Sequence, residues 1–219
     1  MKNETPRQRG YRMPAEWEAH EATWIAWPHN PNDWPGRFAP IPWVYAEIVR
    51  KLSRVEKVRI LVESLAEESR ARAVLRKAGA IMEAVEFVPC HTNRVWTRDF
   101  GPIFVKSSRA EVALTGWRFN GWAKYDDWKK DVLVPGTLAK HLQLPFFQPE
   151  MVLEGGSIDV NGAGLLLTTE ECLLSDVQQR NPGIMREQME EIFADYLGVE
   201  HVIWLDRGKI GRASCRERV

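Results

Sequence analysis

Apolar and polar positions along the chain repeat with two periods, one of strands and one of helices. After a polar start, residues 22–27 are almost all apolar and read as a buried strand, and the proline- and asparagine-bearing stretch 28–42 reads as a long loop. Val44, Ile48, Val49 and Leu52 fall at helical spacing and predict a helix over 43–52, ahead of a strand over 58–62. Residues 65–78 form a charged amphipathic pattern closed by Gly79, and a strand is predicted over 85–88. The same order returns twice. A helix over 132–142 precedes a strand over 151–153, and a helix over 184–197, ended by Gly198, precedes a strand over 201–205. Short strand pairs stand between these units: 103–106 with 112–115, and 158–160 with 165–168 across Asn161 and Gly162, a strong hairpin signal.

The last three of these helix–strand units, at intervals of roughly 50–65 residues, lie in the range of an internal repeat. In the first two, a carboxylate follows the strand within the next loop (Asp99, Glu154), so the third is expected to deliver a functional side chain just after Leu205. The fold class expected is an α/β repeat closed around an axis. An open doubly wound sheet competes, but it would favour a Gly-x-Gly-x-x-Gly loop after its first strand, which the chain lacks.

Composition narrows the partners. The 219 residues are 44% hydrophobic and 27% charged, with thirty basic and thirty acidic side chains. A chain without net charge lacks the long-range attraction on which non-specific nucleic-acid binding depends, so DNA, RNA and membrane surfaces are not expected partners. No apolar run approaches the ~20 residues that span a bilayer, and the first ten residues hold no apolar signal-peptide core. A cytoplasmic location is expected. Cys90, Cys172 and Cys215 have spacings of neither a disulfide framework nor a zinc knuckle, which fits a reducing compartment. Ten tryptophans are many for this length, and most must be core or pocket wall.

The chemistry concentrates in Trp96-Thr97-Arg98-Asp99-Phe100-Gly101-Pro102 and in Glu154-Gly155-Gly156. A guanidinium is flat, permanently charged and carries a fork of N–H donors. A carboxylate can accept two parallel hydrogen bonds from it while an indole covers its plane. Asp99, Glu154 and Trp96 supply those groups, and Gly155 and Gly156 let the backbone turn and come close to a ligand. The plainer reading is that Arg98 and Asp99 belong to a structural ion-pair network.

Other signals are weaker. Asp99-Phe100-Gly101 spells a kinase tripeptide, but the other kinase motifs are missing. Cys90 and His91 are neighbours whose side chains diverge in an extended chain, and Cys172 sits in an apolar run as an inert buried thiol. The remaining histidines lack metal-ligand spacing. Trp117, Trp122, Tyr125 and Trp128 read as core, with channel mouth as the alternative, and Asp33 and Trp34 as a candidate rim.

Six segments in register resemble the agmatine deiminases and the related bacterial (Porphyromonas-type) peptidyl-arginine deiminases: residues 12–17, 23–28, 96–102, 119–122, 154–158 and 166–173. The resemblance runs from about Arg12 to Gly208. It implies a pentein-type α/β propeller of the guanidine-modifying superfamily, here incomplete, and a cytoplasmic hydrolase acting on the C–N bonds of linear amidines. The implied reaction takes agmatine and water to N-carbamoylputrescine and ammonia, in putrescine biosynthesis and polyamine metabolism. Peptidyl-arginine deimination is the alternative, and a catalytically dead guanidine-binding fragment is the alternative of another class. By resemblance Asp99 and Glu154 are catalytic, with Asp99 gripping the guanidinium and Glu154 orienting a histidine or binding the substrate. Trp96, Asp99 and Gly155 bind substrate. No cofactor or metal is implied. The partner is a small guanidino molecule, with a homo-oligomer of the full-length protein left open.

The resemblance also implies a later His-x-Asp pair and a late nucleophilic cysteine, neither of which the chain contains. Residues 1–209 are therefore expected to be the N-terminal part of one deiminase domain. Residues 210–219 read as a translated sequencing-library adapter, a non-native tail in which Cys215 has no chemical role. A fragment of this kind is expected to be inactive and marginally stable.

Overall fold

The structure, a computed structural model, describes residues 4–177 and 179–208. In chain order its strands are β1 (Tyr11–Arg12), β2 (Ala22–Ala26), β3 (Lys57–Val62), β4 (Val85–Pro89), β5 (Ile103–Ser107), β6 (Val112–Thr115), β7 (Phe146–Phe147), β8 (Asp159–Val160), β9 (Leu165–Thr169) and β10 (His201–Leu205). The α-helices are α1 (Ile41–Leu52), α2 (Leu65–Ala78), α3 (Thr97–Phe100), α4 (Val134–Leu142), α5 (Glu170–Leu173) and α6 (Arg186–Leu197). The described residues fall into two units, one of 4–18, 98–127 and 132–208, the other of 19–97 and 128–131. The residues read as a foreign tail lie outside the described ones.

The smaller unit is a parallel sheet, β2-β3-β4, with α1 and α2 on one face. Val58, Ile60 and Val62 of the central strand project into a core shared with Ala46 and Val49 of α1 and Ala71 and Leu75 of α2. Leu61, on the other face of β3, is buried as well, as a central parallel strand requires. Helix α2 is capped at both ends, the second at the Gly79 that the sequence predicts. Ser64 accepts from Glu67 N at 3.2 Å, and Gly79 closes the helix at φ 80°.

The larger unit holds two sheets, β1-β5-β6-β7 and β10-β9-β8. Val105, Ala113, Trp117, Leu153, Ile158 and Leu166 pack with Met189, Phe193 and Leu197 of α6 in one core. The hairpin at Asn161 and Gly162 forms as expected. Asn161 Oδ1 accepts from Ala163 N (2.8 Å) and Leu165 N (3.1 Å), and Gly162 takes φ 72°.

Three expectations need correction. Residues 151–153 form no strand: a single parallel bridge joins Val152 to Arg118. The strand that follows α4 is the two-residue β7, parallel to β6. Helices α1 and α4 start at Ile41 and Val134 and not at 43 and 132, each with a proline in its first turn, where the missing N–H costs nothing. Helix α6 starts at Arg186 because the Gln188 side chain caps Met185 N at 2.9 Å.

Candidate active site

Two turns of the larger unit carry the predicted carboxylates. The first belongs to α3, where Phe100 is buried against Phe119 (ring centroids 6.1 Å apart) and Asp99 is half-buried. The second starts at Glu154 in extended conformation and continues as a 3-10 turn, Gly155–Ser157. Ser157 donates to Glu154 O from both its backbone N (2.9 Å) and its hydroxyl (2.6 Å), and Thr168 of β9 anchors Ser157 O at 2.9 Å.

These turns interlock through the two glycines. A Cβ on Gly155 would lie 2.5 Å from Arg98 O, and one on Gly156 would overlap Asp99 Oδ1. Neither glycine has positive φ, so what they supply here is the absence of a side chain. Arg98 Nε donates to Gly155 O at 3.0 Å, and its guanidinium pairs with Glu16. Arg98 thus fastens one turn to the other, and Asp99 lies against Gly156.

Glu154 is only 2% exposed. Its Oε1 accepts from Arg180 Nε at 3.1 Å, and that arginine is itself buried. The next residue, Asn181, holds Val152 on both backbone groups. Val152 N donates to Asn181 Oδ1 at 2.9 Å, and Asn181 Nδ2 donates to Val152 O at 2.8 Å. On its other side the segment pairs with Arg118 through Arg118 N to Met151 O (2.9 Å) and Leu153 N to Arg118 O (3.2 Å). An asparagine side chain therefore takes the place of a neighbouring strand, which is why 151–153 needs no second strand partner. Sequence reasoning passed over Arg180 and Asn181. The only signal was a polar Arg-Asn-Pro run in a loop.

Of the predicted site residues, Asp99, Glu154 and Gly155 belong to the two interlocked turns of this unit, with Gly155 against Arg98, Asp99 against Gly156, and the Glu154 carboxylate on Arg180. Trp96 belongs to the smaller unit, where it is half-buried with its ring 6.0 Å from that of Trp34. Asp33 of the candidate rim is fully shielded there and pairs with Arg94 at 2.6 Å. In the same unit Asp131 Oδ1 accepts from Asn93 N (2.6 Å) and Arg94 N (3.3 Å), while its Oδ2 is buried without a hydrogen-bond partner. Burial pushes the Asp131 carboxyl up to about 7, against the opposing pull of those N–H groups, of Arg94 and of His29.

The aromatic residues divide between the units. Trp117 is in the larger core, and Trp122 meets Phe119 edge-on at 4.9 Å while holding φ 61°, a strained value for a bulky residue. Cys172 packs with Leu173 in the larger core, and Cys90 is buried at the end of β4.

The fold is α/β of the pentein type found in guanidine-modifying enzymes. A family model described as Porphyromonas-type peptidyl-arginine deiminase matches residues 12–216, and the chain belongs to that family. It is 40% identical over 212 residues to the agmatine deiminase of Pseudomonas syringae pv. syringae, covering 94% of this chain and 55% of that protein. With the agmatine deiminase of Medicago truncatula it shares 39% over 220 residues, 94% of this chain and 56% of the relative. Among solved structures, the agmatine deiminase of Enterococcus faecalis superposes with a TM-score of 0.86 at 33% identity, over 95% of this chain and 56% of that one. The chain thus spans about half the length of the relatives it matches.

Proposed function

We propose that the protein to which these residues belong hydrolyses a guanidino compound, with agmatine as substrate, to N-carbamoylputrescine and ammonia. The observation that carries this reading is the interlock of the α3 and Glu154 turns, which brings two acidic residues into one neighbourhood with glycines at the points of contact. In this reading a carboxylate pair grips the flat cation by paired N–H···O bonds and keeps its charge localised. A thiolate adds to the central carbon, a histidine protonates the leaving ammonia, and water then releases the ureido product and regenerates the thiol. Asp99 and Glu154 bind and polarise, and Gly155 offers backbone close to the ligand.

Agmatine is put first because the relatives named above are agmatine deiminases. Residues 1–209 would be the N-terminal part of one deiminase domain and 210–219 a foreign tail. The thiolate and histidine would then come from a continuation, since Cys172 is part of an apolar core. A cytoplasmic address and a role in putrescine formation go with this reading; among the described residues no helix is long and apolar enough to cross a membrane.

The test is ammonia release, from agmatine and from peptidyl-arginine in parallel. The 219-residue chain should release none, and the protein with its uninterrupted continuation should release it from agmatine. Turnover by the 219-residue chain that is lost in Cys90→Ser or Cys172→Ser would contradict this.

A further inference from the structure

We propose that Arg180 and Asn181 are positioning residues for Glu154, setting the direction and the charge of the carboxylate that meets the substrate's guanidinium. The inference rests on the deiminase reading of the Glu154 turn. Two consecutive residues reach the same three-residue stretch, Val152 to Glu154. Arg180 bonds the Glu154 carboxylate, and Asn181 bonds the backbone of Val152 two residues earlier.

The two contacts do different work. A side chain at Glu154 could rotate about its own bonds even with its backbone fixed, and a fixed carboxylate on a mobile backbone would still wander. Asn181 removes backbone freedom, since its amide presents one acceptor and one donor spaced like those of a strand. Arg180 removes side-chain freedom and supplies a permanent positive charge beside a carboxylate that water barely reaches. Arg180 itself is held from a third direction, by a long contact of Asn120 Nδ2 to Arg180 O (3.5 Å). Asn120 directly follows Phe119, the residue that packs on Phe100 beside Asp99.

The bond uses Nε, on the edge of the guanidinium, and Oε1 of the acid. A lysine could keep the charge at this site but not the planar, fixed donor. Glutamine would keep a donor and lose the charge. Comparing the two substitutions therefore separates charge from shape.

The test uses the 219-residue chain with two readouts. The first is 13C NMR of the Glu154 carboxyl carbon during a pH titration. Its midpoint should move to higher pH in Arg180→Gln, because a neighbouring cation favours the ionised form, and should stay near the wild-type position in Arg180→Lys. The second is agmatine affinity by calorimetry. Arg180→Gln should weaken binding by about tenfold, Arg180→Lys by less, and Asn181→Ala by about threefold with the Glu154 midpoint unmoved. Thermal melts identify any variant that has simply unfolded, and Arg180→Lys keeps the test open if Arg180→Gln does.

A wild-type chain that binds agmatine through Glu154, as judged by Glu154→Gln, but with affinity indifferent to Arg180→Gln would overturn the positioning role and leave the function standing. An unmoved Glu154 midpoint in Arg180→Gln would overturn it as well. A wild-type chain that shows the NMR coupling but does not bind agmatine would instead overturn the reading that Glu154 of this chain meets the substrate, and reduce the pair to a structural one.

Discussion

The carboxylate of Asp99 occupies the space in which a side chain at Gly156 would begin. Glu154 stands two residues before that glycine, so the Asp99 turn and the Glu154 turn are one built object although the two acids are 55 positions apart in the chain. A single methyl group at either glycine is the smallest change that pushes the two apart.

Gly156→Ala is therefore expected to displace Asp99 and Gly155→Ala to press on the Arg98 carbonyl, each at a cost of about 1–3 kcal/mol in stability from overpacking. Gly155→Ala should be the more costly to the fold, because its clash is with backbone and a carbonyl cannot swing away. Gly156→Ala should be the more costly to ligand binding, since its clash is with the carboxylate itself. Urea unfolding of both variants, with agmatine calorimetry on the folded fraction, separates the two effects.

Asn181→Ala leaves Val152 N and Val152 O without their partners. A half-buried backbone donor and acceptor left unmade cost about 1–3 kcal/mol together. Asn181→Asp should cost less in one sense and more in another: it keeps the acceptor for Val152 N but sets a carboxylate oxygen against Val152 O. Hydrogen exchange at the Val152 amide reads the difference directly, with faster exchange expected in Asn181→Ala than in Asn181→Asp.

Asp131 predicts a pH dependence with a definite sign. Its carboxyl is raised from 3.8 to about 7 by burial, with 0% of the residue exposed, so the folded state prefers the protonated form more than the unfolded chain does. Its contribution to stability is fully present below about 3.8 and is lost as the pH rises through about 7. Asp131→Asn, which keeps the oxygen that accepts from Asn93 and Arg94 and never ionises, should flatten the profile over that window and be the more stable variant at pH 8. Asp131→Ala should be destabilised at every pH, because it frees two backbone N–H groups. Denaturant midpoints measured from pH 4 to 8 check all three chains.

Much of this was legible in the sequence, for reasons that can be named. Gly79 marks the end of α2 by capping chemistry, Asn161 and Gly162 mark a hairpin, and the largely apolar run 58–62 marks a strand. The Asp99 and Glu154 turns were singled out by carboxylates following strands at repeated intervals, and Gly155 and Gly156 of the second turn lie against Arg98 and Asp99 of the first. What was hidden depends on partners far along the chain. Strands β1 and β7 are two residues each and exist because β5 and β6 pair with them, which no local pattern announces. Segment 151–153 looked like a strand because it is apolar and extended, yet a side chain takes one of its ladders. Arg180 is 26 residues from the carboxylate it holds, and Asp131 is 38 from Asn93, so neither role leaves a mark in a short window.

The claim on which the account rests is that the carboxylates of Asp99 and Glu154 together bind one planar cation. Calorimetric titration of agmatine into the 219-residue chain and its Asp99→Asn and Glu154→Gln variants tests it most directly. Each single substitution is expected to weaken binding by at least about tenfold, and the double variant by less than the product, as for groups sharing one ligand. Affinity unchanged by either substitution, in variants that melt like the parent chain, would contradict it.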